Sequence, residues 1–175
     1  MDVDWVRETL TLLLYILPAM AANGTPVVAR RYYGRGHPID CGLRFIDGRR
    51  LLGDGKTWEG FIAGMLASLI TGVVIYIALL GLDLEYLYYA VLSGFGALMG
   101  DIMGSFVKRR LGIERGGRAP VLDQLDFYAG ALVVLWVAGV RYNIVSVLSV
   151  GAIILMLHIA TNRIAYLLGL KEVPW

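Results

Sequence analysis

The chain has 175 residues, 58% of them hydrophobic and 17% charged, and a mean hydropathy of +0.66. Soluble domains hold about 45–50% apolar and about 25% charged residues, so this balance points to a membrane protein and excludes long disordered segments. The lone Cys41 excludes an internal disulfide and any multi-cysteine metal site, and a net charge of +2 says little until its distribution is followed along the chain.

A membrane-crossing helix needs about 20 mostly apolar residues. The N-terminal residues carry Asp2, Asp4 and Glu8 where a signal peptide has its basic region, and no A-x-A site follows, so the first apolar stretch reads as a retained helix. That stretch, residues 9–29, is uncharged but contains Pro18, Asn23, Gly24 and Pro26, which predict a bent or unwound C-terminal third. Broken backbone at membrane depth usually lines a site. Residues 60–82 form the next uncharged span, and residues 86–107 a further one interrupted by Asp101. Residues 127–140 reach span length only by extending back through Asp126 and Asp123, and residues 142–162 are again uncharged. The expected fold is an all-α integral membrane protein of five transmembrane helices, forming one unit over residues 1–175.

With five spans, residues 30–57 hold seven Lys or Arg, residues 105–122 hold five, and Arg163 and Lys171 follow the last span. Fourteen of the sixteen cations thus share one side, with only Arg7 and Arg141 on the other. The excess of positive charge on cytoplasmic loops then places the N-terminus outside and the C-terminus in the cytoplasm. Both large polar loops become cytoplasmic, and any chemistry is expected there. No repeat divides the chain, which argues against an inverted-repeat transporter. Arg outnumbers Lys thirteen to three, a bias that suits bidentate recognition of phosphate.

Four acidic positions stand out: Glu59 at the entry to the second span, Asp101 inside an apolar stretch, and Asp123 and Asp126 at the start of the next. A carboxylate at membrane depth is costly unless it is paired or faces water, so each is a site candidate, with an ion pair to a neighbouring Arg as the plainer reading. Asp123 and Asp126 are spaced i, i+3, which puts both on one helical face. Hard oxygen ligands of this kind suit Mg²⁺, which is typically held by one or two carboxylates plus substrate phosphates, and Asp101 on a neighbouring helix adds a further ligand. Spacing alone equally allows one of the pair to be a helix N-cap and the other to be solvated.

Ser105, Lys108, Arg109, Arg110, Arg115 and Arg118 lie between Asp101 and Asp123. Such a cluster often anchors a span at anionic headgroups. Placed among carboxylates, it also supplies the parts for metal-assisted phosphoryl or nucleotidyl transfer. In the other loop, Gly55-Lys56-Thr57 misses the first glycine of the Walker spacing, which rejects a P-loop ATPase. Lys56 and the following helix start could still hold phosphate. His37 and His158 show no ligand spacing, Trp5 and Trp175 read as interface anchors, and Gly94, Gly96, Gly100 and Gly104 predict close helix packing around Asp101.

Taken in order, these motifs resemble a known family. Gly100-Asp101, Ser105-x-x-Lys108-Arg109 and Asp123-Gln124-Leu125-Asp126 resemble the G-D, S-x-x-K-R and D-R-x-D of integral-membrane CDP-diacylglycerol synthases, and Lys56-Thr57-Trp58-Glu59-Gly60 matches their K-T-x-E-G. Arg118-Ala119-Pro120 replaces the family's H-G-G, Gln124 its arginine, and the K-D after K-R is missing. These departures, the five-span length and the stretch from Leu17 to Pro26 resemble the archaeal branch, the CDP-archaeol synthases.

The resemblance implies transfer of CMP from CTP to 2,3-bis-O-geranylgeranyl-sn-glycerol 1-phosphate with Mg²⁺, giving CDP-archaeol and pyrophosphate. The implied partners are CTP, the isoprenoid glycerol phosphate lipid and the membrane, with no nucleic acid; the oligomeric state stays open. On this reading Asp101, Asp123 and Lys108 are catalytic, and Asp101, Asp123 and Asp126 hold the metal. Asn23, Lys56, Thr57, Glu59, Ser105, Lys108, Arg109 and Arg110 bind substrate. A CTP-dependent polyprenol kinase and a small transporter or scramblase are the alternative readings, the latter weakened because residues 60–82 and 142–150 carry almost no polar residues.

Overall fold

The computed structural model describes residues 4–79, 82–113, 117 and 119–167, with the side chains of residues 120–123, 158, 161, 162 and 165 outside the description. Among the described residues five helices occur in the order α1 (Asp4–Tyr33), α2 (Trp58–Ala78), α3 (Glu85–Arg110), α4 (Pro120–Val137) and α5 (Ile144–Leu167). The first three are long and apolar enough to cross a membrane, and α4 and α5 contain shorter apolar stretches, Gln124–Val137 and Ile144–Leu157. The all-helical expectation is met. Lys171 and Trp175, as well as the side chain of His158, lie outside the described residues.

Leu14–Arg141 form one compact unit, and Met1–Leu13 with Tyr142–Trp175 form another. In the smaller unit, Asn143 starts α5 by accepting the Ser146 backbone N–H at 2.7 Å, and its amide donates to Glu8. Thr9 donates to the fully buried Ser146 hydroxyl at 3.2 Å, so the two helices meet through polar groups that satisfy one another.

One expectation fails in the larger unit. Helix α1 runs unbroken through both Pro18 and Pro26 instead of unwinding. Pro18 has no N–H for the carbonyl of Leu14, four residues earlier. The Tyr86 hydroxyl donates to that carbonyl at 3.0 Å, replacing the missing bond from a neighbouring helix. Around Pro26, the Ala22 carbonyl lies where α2 comes close: a Cβ on Gly64 would stand 2.8 Å from it. Thr25 also returns its hydroxyl to Ala21 at 2.7 Å.

Helix α3 is the centre of the larger unit, packed on α2 and α4. On the α2 side, Gly60, Gly64, Ser68 and Gly72 form a buried stripe at four-residue spacing, and Ser68 donates across to the Ala90 carbonyl at 2.8 Å. On the α4 side, Gly96, Gly100 and Gly104 repeat the same spacing. A Cβ on Gly96 would stand 2.9 Å from the Ala131 Cα, and one on Gly100 would strike the Asp126 carbonyl and come 3.1 Å from the Gly130 Cα. Backbones approach this closely only where side chains are absent, the small-xxx-small arrangement of membrane helices. The expectation of close packing around Asp101 therefore holds, with Gly96, Gly100 and Gly104 facing α4 and Gly94 facing Ser68 of α2.

Residues 34–57 form a loop organised by Asp40. This carboxylate is 3% exposed and accepts five hydrogen bonds: from the N–H groups of Gly42, Leu52 and Gly53 at 3.0–3.1 Å and two from the Arg50 guanidinium, at 2.8 and 3.4 Å. The bond to Gly42, two residues on, is an Asx turn that carries Cys41 at φ 47°. Burial alone would raise the Asp40 pKa, but the bonds from Arg50 and the three N–H groups outweigh it and hold the carboxyl well below the usual carboxylate range.

Two outcomes follow. Gly100→Ala should destabilise the detergent-solubilised protein by about 1–3 kcal/mol through overpacking. Gly24→Ala, on α1 with no atom within 4 Å of the new methyl, should stabilise it by up to about 1 kcal/mol, and thermal unfolding of the two variants checks the contrast. Because the folded pKa of Asp40 is depressed, its contribution is complete above the unfolded value of about 4 and is lost as pH falls below it. Hydrogen exchange at Leu52 and Gly53, corrected for intrinsic rates, should lose protection on acidification below about pH 4, and Asp40→Asn should remove that pH dependence.

Candidate functional site

The site forms where the Asp40 loop meets α3. Thr57 is the N-cap of α2, with its hydroxyl accepting the Gly60 N–H at 3.2 Å. The chain just before it is fixed by pairing with residues 37–39: Ile39 donates to the Lys56 carbonyl at 2.8 Å and Trp58 to the His37 carbonyl at 3.0 Å. This aims the Lys56 ammonium at α3, where it forms an ion pair with Asp101. Both side chains keep about a fifth of their surface in contact with solvent. They line a cleft with Pro26, Thr57, Phe61 and Ile102.

Beneath Asp101 lies Asp126 of α4. Its outer oxygen accepts the Phe127 N–H at 2.7 Å; its inner oxygen, Oδ2, is buried with no hydrogen-bond partner among the described residues. A Cβ on Gly104 would collide with that oxygen and stand 2.9 Å from the Asp126 Cβ, so the absence of a side chain at 104 makes room for the carboxyl. The charges of Asp101, Lys108 and Lys56 all act on it. Two carboxylates in one half-buried place repel each other unless a cation lies near both. Lys56 pairs with Asp101, and no described group donates a hydrogen bond to the inner oxygen of Asp126. A hard divalent cation fits that donor set.

Among the described residues no group of three or more His, Cys, Asp or Glu converges. Asp123 sits on α4 one turn before Asp126, and its side chain lies outside the description, as do Glu114, Arg115, Gly116 and Arg118. The N-cap of α4 is Ala119 with Pro120 as first helical residue, so neither Asp123 nor Asp126 caps the helix, and Asp126 is buried, not solvated. Pro120 suits that position because its missing N–H would be unsatisfied there anyway.

The other expected site residues divide. Ser105 is buried on α3 one turn past Asp101, and Lys108 follows on the same helix. Glu59 turns away from the cleft and takes both the His37 backbone N–H, at 2.8 Å, and its ring Nδ1. Arg109 lines a second, larger cleft with Arg49, Arg50, Gly53 and Asp54, where its Nε is buried beside Gly53 without a partner among the described residues. Arg110 is engaged by Asp47 at 2.7 Å and the Arg50 carbonyl at 2.6 Å, which makes it a tie between loop and helix. Asn23 is half-buried on α1 and is not among the residues lining the first cleft. Sequence reasoning missed Asp40 and Arg49, whose guanidinium caps α3 at the Arg109 and Arg110 carbonyls. The Asp-x-Gly pattern at residues 40–42 is the one local signal that could have found Asp40.

The family model described as CarS-like, CDP-archaeol synthase, matches residues 5–175. The CDP-archaeol synthase of Aeropyrum pernix is 50% identical over 99% of this chain and 97% of its own. That of Hyperthermus butylicus is 48% identical over 93% and 94%, and that of Sulfolobus acidocaldarius 44% over 93% and 96%. A solved structure described as an intramembrane enzyme for archaeal membrane lipids biosynthesis superposes with a TM-score of 0.81 at 48% identity, covering 87% of this chain and 93% of that one. The chain belongs to the CarS-like family of CDP-archaeol synthases.

Proposed function

We propose that the protein is a membrane-embedded CTP-dependent cytidylyltransferase that forms CDP-archaeol, working as a single domain whose polar site opens to the cytoplasm. The observation that carries this reading is coverage. The family match begins at residue 5 and runs to the last residue, so the Lys56 loop, Asp101 and the α4 carboxylates all fall within it.

In the reaction a phosphate oxygen of the isoprenoid glycerol phosphate attacks the α-phosphorus of CTP, and the bond to the bridging oxygen breaks to release pyrophosphate. The attacking phosphate is already anionic at neutral pH, so no strong base is required, and catalysis rests on positioning and charge neutralisation. Lys56 and Lys108, brought to the same end of α3, would balance negative charge on the triphosphate and on departing pyrophosphate, with Arg109 reaching it from the second cleft. Asp101 and Asp126, with Asp123 one turn away, would hold Mg²⁺, which when bound lowers the charge of the triphosphate and fixes its conformation. Ser105 stands between Asp101 and Lys108 as a hydroxyl for hydrogen bonding to substrate. Thr57 keeps Lys56 at the head of α2 through its cap. Asn23, on the helix that contributes Pro26 to the cleft wall, would orient the polar head of the lipid. The two isoprenoid chains then stay in the bilayer while the phosphate meets CTP at its edge.

Purified protein given CTP, Mg²⁺ and the geranylgeranyl glycerol phosphate should release pyrophosphate, and EDTA should stop it. Release of CDP would instead favour the polyprenol kinase reading. Asp123→Asn and Asp101→Asn should each lower turnover by at least about 100-fold while leaving elution in detergent unchanged. Retained turnover in Asp123→Asn would remove that residue from the metal role.

A further inference from the structure

The segment from Leu43 to Leu51 is a tight hairpin whose tip, residues 45–48, lines neither cleft. Phe45 donates to the Arg49 carbonyl at 2.8 Å, Leu51 to that of Leu43 at 2.9 Å, and Gly48, at φ +74°, to that of Phe45 at 2.9 Å. Its tip is clamped onto the end of α3. The Phe45 ring meets Phe106 edge-on with centroids 5.5 Å apart, and the Arg110 guanidinium lies 4.7 and 5.0 Å from the two ring centres while holding Asp47.

This clamp fixes the depth of the tip. Phe106 precedes Arg110, the last residue of α3, by four positions, or about 6 Å along the axis. Because α3 is one of the helices long enough to cross a membrane, the tip lies level with the final turn of a span, where headgroups meet acyl chains. At that level Ile46 is 93% exposed, and Leu43, nearer the hairpin's base, is 62% exposed. The same hairpin carries Arg44 and Arg49, and Arg110 adjoins it. Apolar side chains at the rim of a span, surrounded by guanidinium groups, match the chemistry of an anionic lipid interface. Two side chains offer far less than the roughly 800 Å² per partner that a stable protein interface buries.

We infer that the hairpin tip is a lipid anchor, with Ile46 seated at the headgroup boundary of an anionic bilayer and the neighbouring arginines among its phosphates. Asp40 binds Arg50, Leu52 and Gly53 at the hairpin's base, so an anchored tip sets the depth of the loop that carries Lys56. The inference rests on the membrane-embedded fold and not on the reaction.

Cys41 is the lone cysteine, so the full chain carrying Cys41→Ser and Ile46→Cys has a single thiol at the tip for an environment-sensitive fluorophore. In vesicles of diphytanoyl phosphatidylcholine and phosphatidylglycerol, the label should be quenched several-fold more by a lipid nitroxide placed high on the acyl chain than by aqueous iodide. Stronger quenching by iodide would overturn the anchor. Protection from both quenchers that disappears when the protein is diluted in lipid would also overturn it, by showing that a second copy covers the tip. Because Ile46 is almost wholly exposed, the substitution leaves the packed interior untouched, and neither readout depends on activity.

Discussion

The close approach of α3 and α4 is the constraint on which the rest depends. Gly96, Gly100 and Gly104 let the backbone of α4 come near enough that Asp126 enters α3 where a side chain would otherwise stand. In lipid such an approach supplies dispersion contact between helices that have no hydrophobic reason to associate. It also sets a carboxylate one turn below Asp101. The same glycine column thus provides helix adhesion and the pairing of acidic groups, and a side chain anywhere along it disturbs both.

The loop between α1 and α2 completes that arrangement from the other side. Asp40 gathers three backbone N–H groups and one guanidinium, Thr57 caps α2, and between these two fixed points Lys56 has only a short segment in which to move. Its ammonium reaches Asp101 because both ends of that segment are held. Positioning of this kind costs nothing further when substrate arrives, which is the condition under which fixed charges contribute most to a phosphoryl or nucleotidyl transfer.

Much of this was legible in the sequence for identifiable reasons. Asp101 and Asp126 stand out because a carboxylate in an apolar stretch is expensive, and the glycine spacing announces close packing before any helix is placed. What stayed hidden depends on partners far along the chain. Nothing near residues 14–26 tells that α1 continues through its prolines, because the group that makes continuity affordable, the Tyr86 hydroxyl, is 72 residues from the carbonyl it serves. Asp40 looks like any acid in a polar loop, and its burial follows only from the return of residues 50–53. Arg110 reads as a phosphate ligand by its neighbours, yet Asp47 and two aromatic rings from distant positions engage it.

The bond from Tyr86 to the Leu14 carbonyl has a consequence for how this chain can drift. That carbonyl needs an outside donor only while residue 18 is proline. Were Pro18 to become an ordinary residue, its own N–H would supply the helical bond, and the phenol would share the carbonyl's second lone pair instead of replacing a missing donor. Were the phenol lost first, the carbonyl would be stranded. Loss of the phenol is costly only while residue 18 is proline, so the two positions on separate helices are bound to a common history.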